Sequence, residues 1–512
     1  MTEILSKFKE KPLACALTIT FLLFAAILRF LFLYNKPIHF DESINMWFVQ
    51  RILEDGYFTY DPTNYHGPLM FYMIHFVQLF TGFDFISTRI VASIFAFLTL
   101  WILWFGPVSH RKAFRWAAVF VLFSPAMGFY GRSGIHESAF VFFQVLGFLS
   151  FHYLLEKEFK RFWWAFASSL LGMMALKETF VVLILALIPV FVLVMFLERR
   201  RINYVVWWKP MKASFQERSV YMPLFAMFLL FIGVYSGFGG NPKGLADFFV
   251  ALMPWLKTGV GGNGHEKEFL HWSKLMGQYE FAVLVGFFAG FAFLARNKWM
   301  RFYVTFTFFL WFIYSAIPYK TPWCIISILW PFAIVSGLAM EEIMKRVSSA
   351  SRIAVLVVLA GLLGWEAKIH YNIVYRDPID MGHPYVYVNS TYQMKEFISK
   401  TQDLIKEQPL LREKPVQVAT DESWPIPIVF AKFYNLSYFK APAKVEEEAL
   451  IYMVDFKDQK VLEEKLKATG QDKNYKVFQL DVRQSRSPIL VYVKNEYFQN
   501  RFSWELKDVG AM

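Results

Sequence analysis

Charge is scarce in this chain. Only 18% of its 512 residues are Asp, Glu, Lys or Arg, against about a quarter in an ordinary soluble protein. The length alone would allow two to four soluble domains, and that shortage excludes them for most of the chain. Cysteine is scarcer still. The two residues present, Cys15 and Cys324, both sit inside apolar segments and do not read as a disulfide framework. No internal repeat and no low-complexity tract is legible. The missing repeat argues against the inverted-repeat architecture common among transporters.

What fills the chain instead is apolar and aromatic. Apolar residues make up 56%, aromatics 20%, with 58 Phe and 17 Trp, and the mean hydropathy is +0.35. Lipid is the expected solvent. The net charge of +12 does not point to nucleic acid, because the basic residues fall between the apolar segments.

A helix needs about 20 mainly apolar residues to cross the hydrocarbon core. That rule places about eleven spans, near 13–34, 86–107, 114–130, 138–155, 162–176, 179–197, 220–237, 277–295, 302–318, 322–340 and 353–370. The first lacks a small-residue cleavage site before Asn35-Lys36 and reads as a retained span rather than a removed signal. Charge parity orients the set. Alternate connections hold Lys7, Lys9 and Lys11; Arg111, Lys112 and Arg115; Lys157, Lys160 and Arg161. The series continues with Arg199, Arg200, Arg201, Lys209, Lys212 and Arg218; Arg296, Lys298 and Arg301; and Lys345, Arg346 and Arg352. The opposite connections are poor in basic residues. The positive-inside rule then puts the N-terminus in the cytoplasm and the C-terminal region outside, in a cytoplasmic (inner) membrane.

Two outer connections are long. Residues 35–85 read as an extended start, an amphipathic helix over Glu42 to Leu53, a turn over Asp55 to Pro62, and an interfacial helix over 68–82. Residues 238–276 carry two glycine clusters, Gly239-Gly240 and Gly259 to Gly264, and read as a mobile loop over a site. From 371 the pattern changes. Strand-like runs at Val416–Thr420, Leu450–Val454, Lys476–Leu480 and Ile489–Val493 alternate with helical patterns at 391–407 and 457–468. The expectation is an α-helical polytopic membrane protein, body 1–370, with a C-terminal extracytoplasmic α/β domain, 371–512.

Unusual polar clusters recur at the outer ends of separate spans. They are His39-Phe40-Asp41-Glu42-Ser43; Arg132 to Glu137; Lys177-Glu178-Thr179; Gly264-His265-Glu266; and Lys320-Thr321-Pro322. Ionisable groups at membrane depth cost a few kcal/mol each, roughly, so they are functional candidates by default. Each also has a plain structural account. Asp41 and Glu42 suit the first turn of a helix, Arg132 and Glu137 an interfacial ion pair, and Lys177 and Lys320 snorkelling to headgroups. Their recurrence on one face favours function. Asp41, Glu42 and Glu137 are the candidate catalytic carboxylates. Arg132, Lys177, Lys320 and His265 are the candidates for an anionic group. Asp41, Glu42, Glu137 and His265 could also ligate a divalent cation, but no spacing decides it.

Three strings in this order, HFDES at 39–43, GRSGIHESAF at 131–140 and YSAIPYKTPWC at 314–324, resemble the GT-C glycosyltransferases. The likeness is to the protein O-mannosyltransferase and aminoarabinose-transferase branch (glycosyltransferase family 39 and relatives), and within it to a prokaryotic subfamily labelled flippase-activity-associated. It continues at His383-Pro384-Tyr385-Val386-Tyr387 and Trp424-Pro425-Ile426-Pro427. The resemblance implies a polyprenyl-phosphate sugar as donor, a protein, lipid or glycan acceptor outside the membrane, and Asp41 as the base. Hexosyl or pentosyl transfer with inversion is the implied reaction. It puts Glu42 or Glu137 on acceptor or sugar hydroxyls and Lys320, Arg132 and Lys177 on the phosphate. This branch often carries Asp where Glu137 stands. The rival reading is non-enzymatic: a factor for translocating lipid-linked sugar, or a transporter.

Overall fold

The structure, a computed structural model, describes residues 12–64, 66–155, 159–198, 218–261, 264–295, 298–421, 424–430, 433, 435–440, 449–484 and 488–498. Of the basic clusters used to orient the chain, Lys7, Lys9, Lys11, Lys157, Arg199 to Lys212 and Arg296 lie outside the described residues. The chain packs as two compact units. One holds Met1–Leu33 and Phe48–Pro378, the other Tyr34–Trp47 and Ile379–Met512.

The first unit is helical. In chain order its helices are α1 (Pro12–Phe30), α2 (Phe40–Asp55, whose start belongs to the second unit), α3 (Leu69–Thr81) and α4 (Ile86–Trp104). Then come α5 (Arg111–Phe123), α6 (Pro125–Tyr130), α7 (Glu137–Leu155), α8 (Phe159–Met174), α9 (Phe180–Glu198) and α10 (Arg218–Tyr235). The last are α11 (Gly244–Val260), α12 (His271–Tyr279), α13 (Phe281–Phe291), α14 (Lys298–Ala316), α15 (Ile325–Arg346) and α16 (Ser349–Tyr371).

A helix lies on every span expected from hydropathy, and α3 lies on the expected interfacial segment. Among the described residues five helices, α1, α4, α7, α15 and α16, contain stretches long and apolar enough to cross a membrane by themselves. The expected span at 114–130 is broken into α5 and α6. Ser124 caps α6, its hydroxyl accepting the Met127 N–H at 3.2 Å, and Pro125 occupies the first helical position. A serine cap followed by proline starts a new helix rather than continuing the old one. Residues Ile325 to Glu342 of α15 are buried all round, as a helix apolar on every face must be, and α5, α13 and α14 pack against it.

The glycine-rich connection 238–276 departs from expectation. Most of it is helix, α11 and the start of α12, with glycines confined to the ends. The run Leu245 to Leu256 is apolar at helical spacing, and Asp247 in the first turn favours helix. Glycines flanking a segment terminate it without unwinding its middle.

The second unit is a small α/β domain. Its sheet comprises β1 (Val416–Ala419), β2 (Leu436–Tyr438), β3 (Ile451–Asp455), β4 (Tyr475–Leu480) and β5 (Ile489–Lys494) in the order β2-β1-β3-β5-β4. β1 runs parallel to β2 and β3, while β5 is antiparallel to β3 and β4. Alternation along the strands builds two apolar faces. Val416, Val418, Ile451 and Met453 pack with Met394, Phe397 and Leu404 of α17 (Tyr392–Glu407). Tyr452, Val454 and Tyr492 pack with Leu462 and Leu466 of α18 (Gln459–Ala468). The strand missed from sequence, β2, is three residues long and half-exposed, too short to show a period.

Candidate functional site

The first unit contains a cavity of about 500 Å³, walled largely by apolar side chains such as Trp255, Phe312 and Trp323. Its polar wall consists of His66, Lys177, Glu178, Thr179 and Thr321, with Cys324 beside them. The turn between α8 and α9 supplies three of these. After α8 ends, the N–H groups of Ala175 and Lys177 still bond to Leu171 and Met173 carbonyls, and Phe180 N–H bonds to the Lys177 carbonyl. This tight connection places Lys177 and Glu178 on one short arc. His66 arrives from another chain segment. Gly67 N–H donates to Leu176 O at 3.1 Å and Leu69 N–H to Ala175 O at 2.9 Å. A Cβ on Gly67 would stand 2.2 Å from the Ala175 carbonyl oxygen, so only glycine permits this approach.

Two acid–base pairs organise the polar wall. The Lys177 ammonium donates to Glu137 at the start of α7, and both side chains are buried. Next in sequence, Glu178 faces His66, with Oε2 3.4 Å from Nδ1. The His66 ring also packs on His136, centroids 4.7 Å apart. Burial, with His66 and Lys177 nearby, pushes the His136 imidazole well below its usual range, which keeps it neutral near pH 7. A buried lysine is tolerated because it is paired. An ammonium has three donors, so the bond to Glu137 leaves Lys177 able to hydrogen-bond toward the cavity.

Lys320 and His265 meet at the same cavity through the backbone. Residues 265–267 and 318–320 pair antiparallel: Lys320 N–H donates to His265 O and Lys267 N–H to Pro318 O, both at 3.0 Å. His265 packs edge-on against Tyr319, which lines the cavity. The Lys320 ammonium is turned onto the carbonyls of Ile317 and Lys267, and burial lowers its pKa. Burial, then Lys267, lowers that of His265. Both residues shape the rim and neither lines the cavity.

Arg132 is not paired with Glu137. It donates to the carbonyls of Leu28 and Leu31 and lies over the Tyr375 ring at 4.9 Å. Arg89 likewise donates to Leu33 O at 2.6 Å. The carbonyls at a helix C-terminus lack intrahelical partners and carry partial negative charge. These arginines satisfy the end of α1 and of the turn after it. Sequence reasoning had no means of separating such an arginine from a phosphate ligand.

Asp41 and Glu42 belong to the second unit. There residues 38–40 pair with 388–390, Phe40 N–H donating to Val388 O and Ser390 N–H to Ile38 O. The Arg483 guanidinium lies 4.3 Å from the Phe40 ring centroid. Glu42 is fully buried and accepts the His39 N–H at 2.9 Å, while the His39 ring accepts the Asp41 N–H at 3.1 Å. That is a reciprocal cap on the start of α2. Glu42 therefore serves the helix start. Asp41 differs: its side chain is 32% exposed, so its carboxylate is the one solvent or a ligand can reach.

His66 and His136 were missed as site residues, and Glu178 was seen only as part of a polar string. A single histidine in an outer connection carries no periodic signal, and only the Gly67 approach brings it to residue 178. Among the described residues no three His, Cys, Asp or Glu side chains converge as a metal site.

Neither a protein-family model nor a curated protein sequence matches the chain. Solved structures do. ArnT from Cupriavidus metallidurans bound to undecaprenyl phosphate superposes with a TM-score of 0.64 at 11% identity, covering 94% of this chain and 98% of that one. The apo form of the same protein gives 0.60, also at 11% identity and with the same coverage. At that identity the likeness is one of fold. The chain is thus a polytopic membrane protein with a C-terminal α/β unit, and its fold is similar to that of ArnT.

Proposed function

We propose that this protein transfers a sugar from a polyprenyl-phosphate donor to an acceptor outside the cytoplasm. The observation that carries the reading is the buried Lys177 in the wall of a largely apolar 500 Å³ cavity, in a chain with the fold of a protein solved with undecaprenyl phosphate. A lipid phosphate needs both halves of that environment. Its chain needs apolar walls, and its charge needs a cation where negative charge grows on the leaving group.

In this reading Lys177 holds the phosphate and Glu137 holds Lys177. Asp41 is the base that accepts the proton of the acceptor hydroxyl, and transfer inverts the anomeric centre. Glu42 acts by fixing the turn that carries Asp41. Arg132 steadies the end of α1, and Lys320 and His265 set the rim of the cavity. Residues 1–370 form the transferase body and 371–512 an α/β domain outside the inner membrane, with the N-terminus in the cytoplasm. The acceptor is a protein, lipid or glycan of the envelope.

The test is a transfer assay on purified protein, with radiolabelled polyprenyl-phosphate sugars and an envelope acceptor pool. Wild type should move label, and Asp41→Asn should lose at least about 100-fold in rate while inserting normally. Full activity in Asp41→Asn removes the assigned base. No transfer with any donor, from folded protein that still binds the lipid, replaces the enzyme reading with lipid-sugar translocation.

A further inference from the structure

The wall of the cavity carries a second titratable pair that the mechanism above leaves idle. His66 and Glu178 face one another at 3.4 Å and both line the cavity, next to the Lys177–Glu137 pair. The charges decide what such a wall accepts. With His66 neutral, the two pairs together carry one net negative charge, and His136, kept neutral by burial, adds nothing. An anionic phosphate would then enter a site of its own sign. With His66 protonated, the two pairs carry no net charge, and Glu178 is already placed to hold an imidazolium.

We propose that His66, held by Glu178, is the general acid that delivers a proton to the departing lipid phosphate. This deepens the transfer reading and rests on it. The step balances. The bond between the anomeric carbon and the phosphate oxygen breaks, and its electron pair goes to that oxygen. The acceptor oxygen forms the new bond to carbon. The proton on the His66 Nε2 passes to the phosphate, turning a nascent dianion into a monoanion, and Glu178 stays a carboxylate throughout. Asp41 takes the proton of the acceptor hydroxyl and releases it to solvent, and solvent reprotonates the imidazole for the next turnover.

The experiment separates binding from chemistry with a reporter already in the cavity wall, Cys324. In a Cys15→Ala background, undecaprenyl phosphate should protect Cys324 from N-ethylmaleimide. His66→Gln, checked as monodisperse in detergent, should keep that protection yet lose at least about 100-fold in kcat with the polyprenyl-phosphate sugar that wild type uses. Glu178→Gln keeps the shape but not the charge, and should lower kcat in the same direction by less. Unchanged kcat in folded His66→Gln overturns this inference while leaving the transfer reading intact. Loss of Cys324 protection in step with activity also overturns it, making His66 a binding group only. Absence of wild-type transfer with every donor overturns both readings.

Discussion

At the scale of the residue, burial separates roles that the sequence shows as alike. Lys177, Lys320 and Arg132 all read as outer-end cations, yet each has a different partner: a carboxylate, two carbonyls, and a helix end with an aromatic ring. Only Lys177 lines the cavity. Its pairing has a measurable consequence. Glu137→Ala leaves a buried ammonium without its carboxylate, at a cost of about 3–5 kcal/mol, read as a fall in the midpoint of thermal unfolding in detergent. The double variant Glu137→Ala/Lys177→Met removes both charges and should recover most of the loss. Equal midpoints for wild type and Glu137→Ala would mean the pair does not hold this part of the fold. Asp41 and Glu42 teach the same lesson. They are neighbours of one chemical type, but one is buried in the cap of α2 and the other is half-buried, its carboxylate within reach of solvent.

At the scale of the element, the turns rather than the helices place the chemistry. The α8–α9 turn carries Lys177 and Glu178, and the segment before α3 brings His66 against it through Gly67. Gly67→Ala must displace one backbone or the other, costing about 1–3 kcal/mol and the lipid's protection of Cys324. Gly277→Ala, in α12 with open space around its Cβ position, should instead be neutral or stabilise by about 0.5–1 kcal/mol. Thermal midpoints and maleimide labelling of the two variants check this contrast. The same reasoning explains what the periodicity missed. Hydropathy put a helix on every expected span, with ends off by a few residues. It ran α5 and α6 together because Ser124 and Pro125 interrupt hydrogen bonding without interrupting apolarity. It read α11 as loop because glycines at either end outweighed the apolar run between them.

At the scale of the whole molecule, the positions of the basic residues give an expected orientation that labelling can test. The positive-inside reading places Lys112 in the cytoplasm and α18 outside. In a background without Cys15 and Cys324, Lys467→Cys should react with a membrane-impermeant maleimide in cells whose outer barrier is opened. Lys112→Cys should react only after the inner membrane is permeabilised. Both positions are exposed, so accessibility reports side and not burial. The reverse pattern would invert the topology and place the cavity-side turn in the cytoplasm.

What the sequence by itself determined is the class of the molecule. Lipid solvation shows in composition, the helices in long apolar runs, and the C-terminal α/β unit in the change of period after residue 371. These are local properties, written in contiguous residues. The cavity and its pairs depend on contacts between residues far apart in the chain, 40 positions between Glu137 and Lys177 and 112 between His66 and Glu178. No spacing encodes such meetings. Tertiary packing decides them, because a charge buried among apolar walls persists only where folding also delivers its partner.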